Sequence, residues 1–122
     1  MILKLLAWYD RPEGRRDDII DISDILNHFF VMHDQEIWEN HSTLFENEMA
    51  GLPHIAARVM GREMSRIGRR NEKLFLRINR ILNRNTRDLY DSQMADIMIS
   101  YFSNTVEDNV KLLQQLKQGF TE

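Results

Sequence analysis

Apolar residues recur along this chain every three or four positions, which is the spacing of one face of an α-helix. One stripe of this kind consists of Ile19, Ile22, Ile25, Leu26, Phe29 and Phe30. Runs of alternating β-branched residues, which are typical of strands, are missing, and glycine and proline are scarce. The pattern therefore predicts an all-α fold, a bundle of about six or seven helices.

Cap and turn signals divide the first half of the pattern into segments. A short apolar helix is predicted over residues 2–10, because Pro12 lacks a backbone donor and disfavours helical geometry in the residue before it. A second helix is predicted over about 15–31, and Asp34 is a suitable N-cap for a third. A turn then precedes Pro53, which suits the first turn of the following helix.

The second half of the chain leaves one boundary open. Gly68 either breaks the helix before it or is tolerated as a kink that leads into the segment 71–83. Another helix is predicted to begin at Asn85 or Thr86. The last helix is predicted over about 105–118, after a threonine cap and before a glycine.

Length and composition favour one helical domain over residues 1–122, with its own hydrophobic core. The chain has no cysteine, which suits a reducing cytoplasm and leaves no thiolate for a metal site. No apolar run approaches the roughly 20 residues that cross a bilayer, so we expect a cytoplasmic protein without a membrane partner. The chain opens on ILKLLAWY with no polar lead-in, which suggests a fragment of a longer protein.

Charge is concentrated in the middle of the chain. Residues 58–87 hold ten basic and two acidic side chains, whereas the segments before and after carry net charges of −7 and −4. On helices, most of these basic residues fall on one stripe, and arginine binds phosphate with two parallel hydrogen bonds. The candidates for nucleic-acid binding are Arg58, Arg62, Arg66, Lys73 and Arg77, with Arg80 and Arg84 continuing the stripe.

A second interpretation of this stripe stays open. The acidic excess elsewhere is close to the size needed to balance it, so the arginines also fit a solvated face or one that pairs with acidic helices. No aromatic residues are interleaved with the arginines in the pattern of an RNA-stacking motif. Sequence alone therefore favours internal pairing over nucleic-acid binding.

The first thirty residues resemble a known family. The segment KLLAWYDR, residues 4–11, is followed by Arg15, Arg16, Asp18 and Asp21, and IAARVMGRE occupies residues 55–63. These motifs resemble the helical C-terminal half of the AbiEii-like nucleotidyltransferases, many of which are toxins of toxin and antitoxin pairs. The resemblance implies that Lys4 and Arg11 contact a nucleotide phosphate, with Asp18 and Asp21 at the cleft edge or in salt bridges.

The resemblance also implies that the catalytic half lies outside this chain. Nothing here resembles the family's Gly-Ser turn and Asp-x-Asp pair, so no catalytic residue and no metal ligand is expected in the chain itself. Mg²⁺ and a nucleoside triphosphate would belong to a preceding domain, and RNA or an antitoxin are the implied partners. The chain alone is then expected to be inactive.

The alternative is a non-enzymatic helical adaptor or nucleic-acid-binding module that acts as a homodimer. Removal of a preceding domain is expected to uncover Ile2, Leu5, Leu6 or Trp8 on the first helix. An apolar patch of this kind favours self-association.

Overall fold

The computed structural model describes the backbone of residues 1–40, 52–102 and 105–122, and the side chains of 1–29, 54–99, 101 and 105–122. These residues form six helices and no strand, which confirms the predicted all-α bundle. In chain order the helices are α1 (Ile2–Asp10), α2 (Arg16–Asn40), α3 (Leu52–Gly68), α4 (Glu72–Thr86), α5 (Gln93–Phe102) and α6 (Val106–Thr121). Within the described ranges, no helix is both long enough and apolar enough to cross a bilayer.

Local signals account for several helix ends. The predicted bounds of α1 are confirmed, and the residue after it, Arg11, leaves the helical region with φ −141° and ψ 65° just before proline. Thr105 caps α6 as predicted, because its hydroxyl accepts a hydrogen bond from the amide of Asp108 at 3.1 Å. The open question at Gly68 is decided in favour of a break, since α3 ends there and a new helix follows.

Two predicted helix starts are wrong. Asp34 does not begin a helix, because α2 contains no glycine or proline and continues through it. Asn85 and Thr86 do not begin one either, since both are buried in the last turn of α4. The side chain of Asn85 instead accepts a hydrogen bond at 3.1 Å from the amide of Met94, and so caps α5 from a distance. The inward-facing positions predicted beyond Asp34, at Ile37, Trp38, Leu44 and Phe45, lie outside the described side chains.

Helices α3 and α6 cross very closely at two buried glycines. A Cβ atom on Gly61 would lie 2.7 Å from the amide nitrogen of Phe120, and one on Gly119 would lie 2.9 Å from the carbonyl carbon of Arg58. The backbones can approach this far only because both positions lack a side chain. The prediction that the last helix ends at Gly119 is therefore wrong, because this glycine serves the crossing and α6 continues to Thr121.

Helix α1 is largely covered by its own chain. Leu5 and Trp8 are 0% and 1% exposed, so the expectation that they are bare is wrong. Ile2 and Leu6 are half-buried and line an apolar groove of about 430 Å³ next to α3. Leu3 is 81% exposed. Self-association through this helix stays a prediction, with a smaller apolar surface than the sequence suggested.

Candidate nucleic-acid interface

Helices α1 and α2 bring together three side chains that the family resemblance singles out. The ammonium of Lys4 donates a hydrogen bond to Oδ2 of Asp21 at 2.7 Å and lies 3.7 Å from Oδ1 of Asp18. The hydrogen bond to Asp21, supported by the charges of both carboxylates, raises the pKa of Lys4 above its ordinary value. Lys4 is therefore a positive charge that already has acidic partners.

Asp18 is the centre of this ionic cluster. It is 5% exposed, and it accepts a hydrogen bond from Nε of Arg15 at 2.6 Å in addition to its contact with Lys4. It also lies in the first turn of α2, where a negative charge interacts favourably with the helix dipole. The two cations and two carboxylates of the cluster balance each other, which leaves little positive potential for a phosphate. Contact of Lys4 with a nucleotide stays a prediction.

Arg11 lies apart from this cluster. It follows the last residue of α1, and its side chain is exposed. Among the described residues its guanidinium has no hydrogen bond or ion pair. Its predicted contact with a nucleotide phosphate therefore also stays a prediction.

The predicted arginine stripe divides into two groups, and the first group serves the crossing of α3 and α6. Arg58 donates a hydrogen bond from Nε to Oε1 of Glu122, and Arg62 donates from Nε to Oε2 at 2.8 Å. Arg69 donates to the main-chain oxygen of the same glutamate at 3.0 Å. Burial raises the pKa of Glu122, but the hydrogen bonds from Arg58 and Arg62 outweigh it, so the pKa lies below the ordinary value.

Two other predicted candidates also have acidic partners. Nη1 of Arg66 lies 3.3 Å from Oε1 of Glu63 on the same helix, and Arg77 donates a hydrogen bond to Asp10 at the end of α1. Lys73 is exposed and has no ion-pair partner among the described residues. Internal pairing, the alternative that the sequence left open, therefore describes most of the predicted set.

The second group of arginines lines an open cavity of about 600 Å³. We call it the basic cavity. Its lining residues are Tyr9, Leu76, Asn79, Arg80, Asn83, Arg84 and Arg87. All but the tyrosine belong to α4 or directly follow it, at spacings of three and four that place them on one helical face. The basic cavity is thus one face of α4 closed on one side by α1.

The arginines of the basic cavity lack counter-charges. Arg80, Arg84 and Arg87 are exposed, and none of them has an acidic partner within the described part of the chain. Residues 73–87 contain no aspartate or glutamate, and Asp10, which approaches this segment from α1, is paired with Arg77. Three guanidinium groups therefore face solvent together on one surface.

An ion pair brings the tyrosine to these arginines. The contact between Asp10 and Arg77 joins the end of α1 to α4, and Tyr9 is the residue before this aspartate. The ring of Tyr9 packs against Trp8 at a centroid distance of 6.4 Å, and Trp8 is buried in the core. Its position beside α4 is therefore held from two sides.

Sequence reasoning missed most of this site. The sequence places Arg80 and Arg84 on the basic stripe but does not distinguish them from the arginines that form ion pairs. Arg87, Asn79 and Tyr9 were not singled out as site residues. The acid-free segment 73–87 was a signal that could have identified the arginines, whereas nothing in the sequence links Tyr9 to α4.

No family model, curated protein or solved structure matches this chain. The resemblance to the AbiEii-like nucleotidyltransferases therefore stays a prediction that depends on the sequence motifs in residues 4–21 and 55–63. Among the described residues, no group of three or more histidine, aspartate or glutamate side chains is arranged to hold a metal ion. The Mg²⁺ and triphosphate that the resemblance assigns to a preceding domain stay predictions as well.

Proposed function

We propose that this chain is a nucleic-acid-binding helical module, which holds the phosphates of an RNA or DNA strand in the basic cavity. The observation that supports the proposal most directly is the set of three arginines without acidic partners among the described residues. Like charges on adjacent helical turns repel each other, so phosphates that bind there relieve an unfavourable interaction and gain bidentate hydrogen bonds. This favours an anionic ligand over a neutral one.

The dimensions of the cavity suit a short length of strand. The rise of an α-helix places Arg80 and Arg84 about 6 Å apart along the axis, and Arg80 and Arg87 about 10 Å apart. Successive phosphates of one strand advance about 3.4 Å along the axis of duplex DNA, so the row of arginines can meet more than one phosphate. A volume of about 600 Å³ is also in the usual range for sites that bind small ligands or single nucleotides.

The proposal is tested by fluorescence anisotropy with a labelled 12-nucleotide strand in a salt titration. Three phosphate contacts on a single strand give a slope of log affinity against log salt of about −2. The variant Arg80→Glu plus Arg84→Glu is expected to abolish most of the binding. A matched control is Arg66→Glu plus Lys111→Glu, which makes the same change in net charge at two exposed positions on α3 and α6.

The control also separates the basic cavity from the wider stripe. If both double variants weaken binding equally, the cavity is not the site and the attraction is a general effect of net charge. An affinity that does not change with salt would contradict phosphate binding altogether. Normal binding by the control and loss in the cavity variant is the expected result.

A second candidate function is considered because Lys4, Asp18 and Asp21 lie together, although their charges balance and leave little positive potential for a phosphate. The family resemblance groups these residues at the cleft of a nucleotidyltransferase, and their proximity is compatible with a helical half whose catalytic domain precedes it. Titration calorimetry with ATP tests this alternative: binding that is lost in Lys4→Ala and kept in the Arg80 and Arg84 double variant would favour it. ATP binding that is unchanged in Lys4→Ala would contradict a nucleotide role for Lys4.

A further inference from the structure

The basic cavity combines its arginines with an aromatic side chain. Tyr9 is the aromatic residue of the cavity wall, and it is half-buried, so part of it stays accessible. Its hydroxyl has no hydrogen-bond partner among the described residues. The burial of Trp8 and the ion pair between Asp10 and Arg77 hold this turn of α1 against α4, so the backbone of Tyr9 is fixed beside the cavity.

Apolar and amide groups complete the wall around Tyr9. Leu76 is 54% exposed, which is unfavourable for a leucine in water and gives a ligand an apolar surface to cover. Oδ1 of Asn79 is buried and has no hydrogen-bond partner within the described residues. An acceptor of this kind is costly to leave unpaired, but it is closed off from the cavity, so it meets a nucleobase only if the amide group rotates.

We propose that Tyr9 stacks on an unpaired base while the arginines hold the flanking phosphates, so that the site selects single-stranded over duplex nucleic acid. This inference rests on the proposed function. In a duplex each base face is covered by its neighbours, whereas an unpaired base can leave the strand and lie against an aromatic ring. Phosphate contacts alone favour the duplex, whose charge density is higher, and therefore a preference for the single strand has to come from the tyrosine.

The experiment compares three labelled probes of equal length: a 12-nucleotide single strand, the same backbone with all bases removed, and the duplex. Stacking of one base contributes an affinity difference of roughly 5- to 150-fold between the normal and the abasic strand. Tyr9→Leu is expected to abolish this difference without changing the affinity for the abasic strand. Tyr9→Phe keeps the ring and is expected to retain the preference.

The outcomes separate this inference from the proposed function. Equal affinity of the wild-type protein for the normal and abasic strands would overturn stacking by Tyr9 and leave phosphate binding intact. An equal fall in affinity for the normal and the abasic strand in Tyr9→Leu would overturn it too, because a structural defect weakens binding of both strands. The melting temperature of this variant shows whether such a defect is present. Equal binding of duplex and single strand would overturn the selectivity, and no binding of any probe would overturn both proposals.

Discussion

Replacement of Gly119 by alanine tests whether the close crossing of α3 and α6 organises the fold. Gly119 lies inside α6, where alanine is intrinsically better than glycine by about 1 kcal/mol. Helix propensity alone therefore predicts a more stable protein. The structure predicts the opposite, because the new methyl group would lie 2.9 Å from the carbonyl carbon of Arg58 and closer still to its oxygen.

The size of the effect follows from what has to move. The obstructing atoms belong to the backbone of α3, so no side-chain rotation relieves the clash, and the two helices have to separate by about 1 Å. A gap of 0.5–1 Å forfeits about a quarter to a half of each affected dispersion contact. Overpacking of this kind costs about 3 kcal/mol, and after the gain in propensity the net destabilisation is about 2 kcal/mol. For a chain of this length, that lowers the melting temperature by about 6–10 °C.

Thermal and urea denaturation followed by circular dichroism measure this change. Gly14→Ala is the matched control, because Gly14 is exposed and a Cβ there would meet no atom within 4 Å. Gly61→Ala is expected to match the loss seen at Gly119, since its Cβ would meet the backbone of Leu116 and Phe120. A Gly119→Ala protein as stable as the wild type would refute the close crossing.

Two further predictions concern individual hydrogen bonds. The pKa of Glu122 is lowered in the folded protein, so its ion pairs stabilise the fold above the unfolded pKa of about 4.5, and this stabilisation is lost as the pH falls below that value. Urea denaturation from pH 6 to 3 should therefore show a steeper fall in the free energy of unfolding for the wild type than for Glu122→Gln. Parallel curves for the two proteins would contradict this prediction. Asn85→Ala removes the acceptor of the Met94 amide and a donor to the carbonyl of Ile81, so we expect a loss of about 1–3 kcal/mol in the free energy of unfolding. Thr121→Ala, which removes exposed hydrogen bonds of a hydroxyl, should change it by less than about 0.5 kcal/mol.

Features that depend on neighbouring residues could be predicted from the sequence. Pro12 ends the first helix and Thr105 begins the last one through contacts that span only a few positions. The all-α class follows from periodicity repeated over the whole chain. The false helix start at Asp34 has a related cause, because a good cap residue begins a helix only where the preceding residues are not already helical.

Features that depend on distant residues could not be predicted. The sequence predicts a helix end at Gly119, since glycine commonly ends helices, and the real role of this residue is visible only when Gly61 is known to lie opposite. Likewise, the sequence does not indicate which arginines meet Glu122. The lack of an RNA-stacking motif among the arginines counts against nucleic-acid binding at the level of the sequence, yet the fold supplies Tyr9 from another helix.

Because the arginines of the basic cavity have no acidic partner in the described part of the chain, we also predict a trade-off between stability and binding. Arg80 lies in the middle of α4, away from the dipole of the helix end, with Arg77 one turn before it and Arg84 one turn after it. Each such pair of like charges destabilises a helix by about 0.2–0.5 kcal/mol. Arg80→Glu converts both repulsions into attractions, so the folded protein should gain about 1 kcal/mol at low ionic strength.

This gain should disappear at high salt, because the Debye length falls from about 10 Å at 0.1 M to about 3 Å at 1 M. Thermal melts at the two salt concentrations measure it, with Lys111→Glu as the control, since Lys111 lies 3.3 Å from Glu107 and its reversal should destabilise the protein. A substitution that raises stability while it removes binding would show that these arginines are kept for a ligand and not for the fold. A loss of stability in Arg80→Glu at low salt would mean that this arginine has a structural partner, and the basic cavity would then lose its strongest argument.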